Sequence, residues 1–374
     1  MLGFISLNVH ADELDTVQFK AGVGVRYDSN IFRLSDSADA QAVLGTSKRS
    51  DMIAVTSVGI KLDKQYSLQR FEFDVNADRY SYKEFTNLDF TAVNYAAAWR
   101  WSLTPRLHGN LTTDRRQYID NTADVQNSGQ VNRRTNRSTL FDAEYGIGGP
   151  WRVVGGVFEN NSTNSQLTSE GDSRVSGGEV GVRYVYASGT SLAYRLRHGS
   201  GEYPDRLSGN FKDREHEFRL DWPLSGKTTI QAQLSHFDRT HEGLSARDFS
   251  GILGQINATW EATGKTRVRA GFARELGSYQ TASTNYYKGY RFFIAPSWKP
   301  TEKTAVLLRY DHGVRDFSPS NRRDTSNQGS LSFEWQAARA VKLSASILRD
   351  ERNSNLPGFD FKSNGLNVSV LASF

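Results

Sequence analysis

Charged residues recur in this chain at every second position. Arg70, Glu72, Asp74 and Asp78 are separated by Phe71, Phe73, Val75 and Ala77. A two-residue period places the charges on one face of a strand and the apolar side chains on the other. The same pattern adds Arg26, Arg100, Arg116, Arg183, Arg195, Arg197, Arg219, Arg267, Arg269, Arg291, Arg309 and Arg315. Against them stand Asp114, Asp142, Glu144, Glu179, Glu215, Glu217, Asp221, Glu275, Asp311, Glu334 and Asp350. Such a face can do two things. It can form cross-strand ion pairs that brace a wet interior. It can also supply a hydrogen-bond ladder along which a hydrated solute, a sugar chain above all, slides without meeting one deep well. The candidate lining residues are Arg70, Glu72, Asp74, Arg100, Arg116, Arg183, Arg195, Arg197, Glu217, Arg219, Arg267, Arg269, Arg291 and Arg309. An arginine excess at Arg195, Arg197, Arg291 and Arg309 favours anionic or strongly hydrogen-bonding solutes.

Catalysis finds little support, and no cofactor is expected. Cysteine is absent, so neither a disulfide framework nor a thiolate site exists. The seven histidines follow no metal-ligand spacing. His198, His216, His236 and His312 fall on the apolar register, where a general base has nothing to act on. Asp28-Ser29-Asn30 and the Glu170/Asp172 pair have calcium-ligand chemistry, but acidic loop residues are usually only solvated.

A face this charged cannot be the core of a soluble sandwich, so the elements that carry it must surround water. Period-two runs extend over Val17 to Tyr27, Phe71 to Ala77, Val93 to Leu103, His216 to Trp222, Val268 to Phe272, Val306 to Val314 and Leu331 to Trp335. No stretch sustains a helical period. Tight turns are expected at Lys64-Gln65, Thr104-Pro105, Gly148-Gly149-Pro150, Ser188-Gly189, Ser225-Gly226, Thr263-Gly264, Lys299-Pro300 and Ala337-Ala338. Between them lie longer polar loops: Asp28 to Ser50, Lys83 to Asp89, Gln117 to Asn136, Glu159 to Ser173, Tyr203 to Lys212, Thr240 to Phe249, Leu276 to Asn285, Asp316 to Arg323 and Arg352 to Gly358. Short periplasmic turns alternating with long surface loops describe a transmembrane antiparallel up-and-down β-barrel of about eighteen strands, with about sixteen as the alternative. Both chain ends then lie on the periplasmic side.

The seven tryptophans, Trp99, Trp101, Trp151, Trp222, Trp260, Trp298 and Trp335, all lie close to the tight turns and in the apolar register. That is the placement of an aromatic girdle at the periplasmic interface. Composition agrees: aromatics reach 12% while hydrophobic residues are only 37%, as expected when half of each strand faces water. The net charge of +5 is spread as single residues, which argues against nucleic-acid binding. Residues 1–11 have the apolar run and the small-x-small ending (Val9-His10-Ala11) of a signal-peptide remnant, leaving 12–374 as the barrel. The last strand alternates Leu366, Val368, Val370, Ala372 and Phe374 with polar neighbours. It is similar to the closing strand by which bacterial outer-membrane barrels are handed to their insertion machinery.

Three stretches carry a further likeness. They are Tyr27-Asp28-Ser29-Asn30-Ile31-Phe32-Arg33-Leu34, Lys64-Gln65-Tyr66-Ser67-Leu68-Gln69-Arg70-Phe71, and Leu88-Asp89-Phe90-Thr91-Ala92-Val93-Asn94-Tyr95 with Trp99-Arg100-Trp101-Ser102-Leu103-Thr104-Pro105. Together they resemble the EpsL-like outer-membrane barrels of exosortase-type exopolysaccharide systems, most clearly over roughly the first 120 residues. The resemblance implies export of a polysaccharide across the outer membrane and a separate periplasmic export partner. Contact with outer-membrane lipid and lipopolysaccharide follows from the location. Without that resemblance, the same barrel reads equally as a general or substrate-selective uptake porin for small hydrophilic solutes.

Overall fold

Alternating β-branched and aromatic residues form strands wherever one face can leave water. The computed structural model describes residues 16–120, 124, 130–205, 209–279, 281 and 284–374. The residues assigned to the signal remnant lie outside this set. The first nine strands are β1 (Val17–Asp28), β2 (Asp51–Tyr66), β3 (Gln69–Tyr82), β4 (Phe90–Thr104), β5 (Leu107–Ile119), β6 (Arg133–Gly148), β7 (Trp151–Asn164), β8 (Ser173–Val185) and β9 (Ser191–Glu202). The remaining nine are β10 (Phe211–Ser225), β11 (Thr228–His241), β12 (Phe249–Thr263), β13 (Thr266–Ser278), β14 (Tyr286–Thr301), β15 (Thr304–Ser318), β16 (Arg323–Ala338), β17 (Val341–Ser354) and β18 (Phe361–Ser373). All eighteen belong to one antiparallel sheet in which each strand pairs with its sequence neighbours and β18 returns to β1. Closure removes the exposed edge that an open sheet would present.

The seam is well zipped. Val23 faces Val370 and Val25 faces Val368 across it, and Phe19 N donates to the Phe374 carbonyl at 2.6 Å. The two rings stack 6.4 Å apart. Register sets the faces throughout: Val23 (59% exposed), Val58 (57%), Val157 (59%) and Ile347 (56%) all point away from the lumen. Apolar area of that extent is stable only in lipid. An arginine at outward-facing Val368 is therefore expected to cost about 2–4 kcal/mol. The same change at its lumen-facing neighbour Asn367 should be mild. Heat-modifiability of the folded band on gels measures both, and equal losses would refute the register.

Trp99, Trp151, Trp222, Trp260, Trp298 and Trp335 are exposed on the outer face beside the tight turns. Trp101 differs: it is buried, stacked on Phe141 at 5.9 Å, and lies over Gly109. A Cβ at Gly109 would stand 2.7 Å from the indole and 2.0 Å from the Asp142 carbonyl, so only glycine fits there.

Three turns fall two or three residues later than the residue types suggest, at 67–68, 302–303 and 339–340. The ladders run on past Lys64-Gln65, Lys299-Pro300 and Ala337-Ala338 because each further pair, such as Tyr66 with Gln69, adds hydrogen bonds before the chain reverses. The sequence also hid a short helix in the first long loop, α1 (Ala40–Leu44). Asp39 caps it by accepting from Gln41 N and Ala42 N, and Gly45 ends it at φ 73°. One turn of helix is too short to leave a period in the sequence.

Candidate channel and its constriction

The lumen is lined by the polar register. Arg70 contacts Asp63 at 2.6 Å and Glu72 at 3.1 Å, and Arg100 reaches Glu72 at 2.9 Å. Asp74 is held by Lys20 at 2.7 Å. On the β8–β10 wall Glu179 takes both Arg195 (2.6 Å) and Arg197 (2.9 Å), while Arg197 also meets Glu215 at 3.2 Å. Arg219 pairs with the fully buried Glu217. Arg183 turns the other way, to Glu144 at 2.7 Å. Arg267 contacts Glu261 at 2.5 Å. Arg309 contacts Asp311 at 2.6 Å and lies over Phe293. The ladder thus neutralises Arg195, Arg197 and Arg309, three of the four residues expected to supply a positive excess. Among the described residues, Arg116, Arg269 and Arg291 share this polar register and make no ion pair.

Above this ladder, at the end with the long loops, the bore is narrowed from several sides. The segment between β1 and β2 turns inward because it has apolar cargo to bury. Ile31, with Phe32 and Leu44, packs on Ile53, Tyr82, Phe85, Phe90 and Ala92. Ile53, Tyr82 and Phe90 share the lumen register, opposite Met52 and Val93. Arg33 anchors the turn through two bonds to the Asp28 carboxylate, at 3.0 and 2.9 Å. It also contacts Asp350 at 3.5 Å. Asn30 adds bonds to the carbonyls of Leu34 and Lys362.

A second contact lies in the mouth. Asp124, between β5 and β6, meets Arg322 at 2.7 Å and Arg352 at 3.1 Å, and accepts from the Tyr279 hydroxyl at 2.6 Å. From β5 to β13, after which Tyr279 stands, is eight steps round a ring of eighteen strands, so the contact spans nearly the full diameter. Arg322 is itself wedged between Phe359 (3.7 Å to the centroid) and Phe317 (4.3 Å) and bonded to Asp324. Burial pushes the Asp124 carboxyl up, but the Arg352 and Arg322 guanidiniums outweigh it and hold the group below the ordinary carboxylate range. Burial also pushes the Tyr279 hydroxyl far up, with the Asp124 charge adding to it. Glu170, between β7 and β8, contacts Arg134 and approaches Arg315 at 3.9 Å. Its burial exceeds the pull of Arg134, and the carboxyl is raised. A cavity of about 610 Å³ lies here, with Asp120, Arg134, Arg291, Arg315 and Arg352 in its walls.

The acidic residues with calcium-ligand chemistry are already engaged: Asp28 by Arg33 and Ser363, and Glu170 by Arg134. Composition and period did not point to Asp124, Tyr279, Arg322 or Arg352, because loop contacts leave no periodic trace. Arg33 is visible in the sequence only as part of a family-like motif and Asp28 there and as a possible calcium ligand, whereas the two residues together anchor the inward loop.

The family described as "Putative beta-barrel porin 2" matches residues 219–374. No curated protein sequence matches the chain. Among solved structures, Pseudomonas aeruginosa OpdK with vanillate is similar at 12% identity and a TM-score of 0.53, over 96% of this chain and 99% of that one. P. aeruginosa OccK2 in complex with glucuronate is similar at 11% identity and 0.52, over 96% and 98%. A BenF-like porin from Pseudomonas fluorescens Pf-5 is similar at 13% identity and 0.54, over 96% and 100%. With its closed eighteen-strand ring, its lipid-facing belt and these likenesses, the chain is an outer-membrane β-barrel of porin architecture.

Proposed function

We propose that the protein is a diffusion channel for small hydrophilic solutes, with a preference for anions. The observation that carries this reading is the contact of Asp124 with Tyr279, Arg322 and Arg352, which brings side chains from separate connections together in the mouth of the bore and so favours small solutes over a thick hydrated polymer. Arg116, Arg269 and Arg291 supply guanidiniums without a counter-ion among the described residues, each a place where a carboxylate solute can exchange with water. The neighbours that hold vanillate and glucuronate are in keeping with small anions of this kind. The likeness to exopolysaccharide-export barrels rests on the first part of the chain, outside the span 219–374 that carries the family match.

Swelling of liposomes loaded with purified protein tests the proposal. Monosaccharides and uronates are expected to enter quickly, and a linear oligosaccharide series is expected to be cut off at a few units. In planar bilayers, reversal potentials in a salt gradient should show anion preference, reduced when Arg116, Arg269 and Arg291 are together replaced by glutamine. Passage of long polysaccharide without a size cut-off would instead establish an export-scale bore.

A further inference from the structure

Arg115 on β5 and Arg137 on β6 are direct cross-strand partners. Their register is that of Leu111 and Phe141, which face lipid, so both guanidinium stems start on the outside of the barrel. Like charges placed opposite one another destabilise a ladder unless an anion lies between them. Other outward arginines near this level have one. Arg79 pairs with Asp89 at 3.0 Å, Arg174 with Glu159 at 3.0 Å, Arg214 with Asp238 at 3.3 Å and Arg349 with Glu351 at 3.4 Å. Arg115 donates to the Val93 carbonyl, Arg137 is exposed, and neither makes an ion pair among the described residues.

Height identifies the missing partner. Arg115 is eight residues beyond the start of β5 and Arg137 eleven from the end of β6. At about 3.3 Å per residue and a tilt of about 40°, that is roughly 20–28 Å above the periplasmic turns, the thickness of the apolar band. The pair therefore stands at the headgroups of the outer leaflet. Below it come the Thr113 and Thr139 hydroxyls, 3.0 Å apart, and then the Leu111 and Phe141 side chains. Above it Gln117 faces Thr135, and beside it Asn161 faces Arg137.

We infer that this patch binds a phosphorylated glycolipid of the outer leaflet, of the lipid A type. The two guanidiniums close on one phosphate, for which a planar fork is the best protein ligand. Gln117, Thr135 and Asn161 offer hydrogen bonds to sugar hydroxyls, and Leu111 and Phe141 form the bed for acyl chains. A glycerophospholipid satisfies the first and third of these but has no sugar for the second.

Native mass spectrometry of the detergent-extracted protein tests the assignment, using diphosphorylated lipid A, its dephosphorylated form and phosphatidylglycerol as added probes. The wild type is expected to retain lipid A, and R115Q/R137Q to lose about tenfold in affinity for each arginine removed, the change of a charge-assisted contact. R214Q, which alters an arginine already paired with an acid, should retain lipid A. Because the double variant relieves a repulsion, it should fold, as a heat-modifiable band reports. Lipid A should raise the unfolding temperature of the wild type and not that of the double variant. Unchanged retention by R115Q/R137Q, equal binding of dephosphorylated lipid A, or phosphatidylglycerol binding as tight as lipid A would each overturn the inference.

Discussion

Channels carrying D124A will conduct more than the wild type and will lose their size cut-off for sugars. The Asp124 side chain is only 11% exposed and its partners Arg322 and Arg352 are 4% and 10% exposed, so this is a buried cluster. Removing one member of such a cluster strands charge in a dry site and costs about 3–5 kcal/mol. The closed ring of strands does not depend on the Asp124 side chain, so the contact in the mouth should open rather than the barrel unfold. The strands themselves keep every ladder bond, and the heat-modifiable band should persist. The pH dependence follows from the lowered carboxyl. A group depressed in the folded state lends stability above its unfolded value of about 3.9, and loses it as pH falls through the lower folded value. Wild-type conductance through this contact should therefore be flat from neutral pH down to about 4 and rise in stronger acid. D124A should show no such rise. An acid response identical in both proteins would assign the opening to another group, and unchanged conductance in D124A at neutral pH would show that the contact does not limit flow.

The second large effect is expected at Arg33. Its guanidinium is 6% exposed and binds Asp28 (7%) and Asp350 (13%) at once. R33A leaves two acids facing each other in a buried site, again at a cost of about 3–5 kcal/mol. Ile31 and Phe32 then lose the anchor that presses them onto Tyr82, Phe85 and Phe90. The expected result is a wider, noisier channel and entry of antibiotics that the wild type excludes. R33K should recover little, because an ammonium cannot fork across the Asp28 carboxylate. R33A/D28N, which removes one of the stranded charges, should be closer to wild type than R33A. Wild-type exclusion in R33A would mean that the apolar contacts alone hold the loop.

The barrel is legible in the sequence because its two solvents impose a strict pattern. In the body of the wall strand residues face either lipid or the lumen, so Phe71-Glu72-Phe73-Asp74 can be read only one way. The tryptophans mark the periplasmic end for the same reason, since an indole belongs where lipid meets water. Long and short connections then give the strand number. Small errors came where the pattern continues through a turn: Tyr66 and Gln69 extend a hairpin past the residues that look like its end.

The pairing of lumen charges was half legible. Alternation put Arg183, Arg195, Arg197 and Glu179 on one face, but which arginine takes which carboxylate depends on stagger between strands. The stagger sends Arg183 to Glu144 and leaves Glu179 to Arg195 and Arg197. The places of the loops were legible, but their contacts were not. Asp124 finds Arg322 and Arg352 from a distance of about two hundred residues in sequence, across the mouth of a ring that exists only once the strands have closed. Sequence by itself therefore determined which faces meet lipid and water, and so a closed, water-lined wall. Tertiary structure alone decided how far the bore stays open, because that rests on contacts between segments with no shared period.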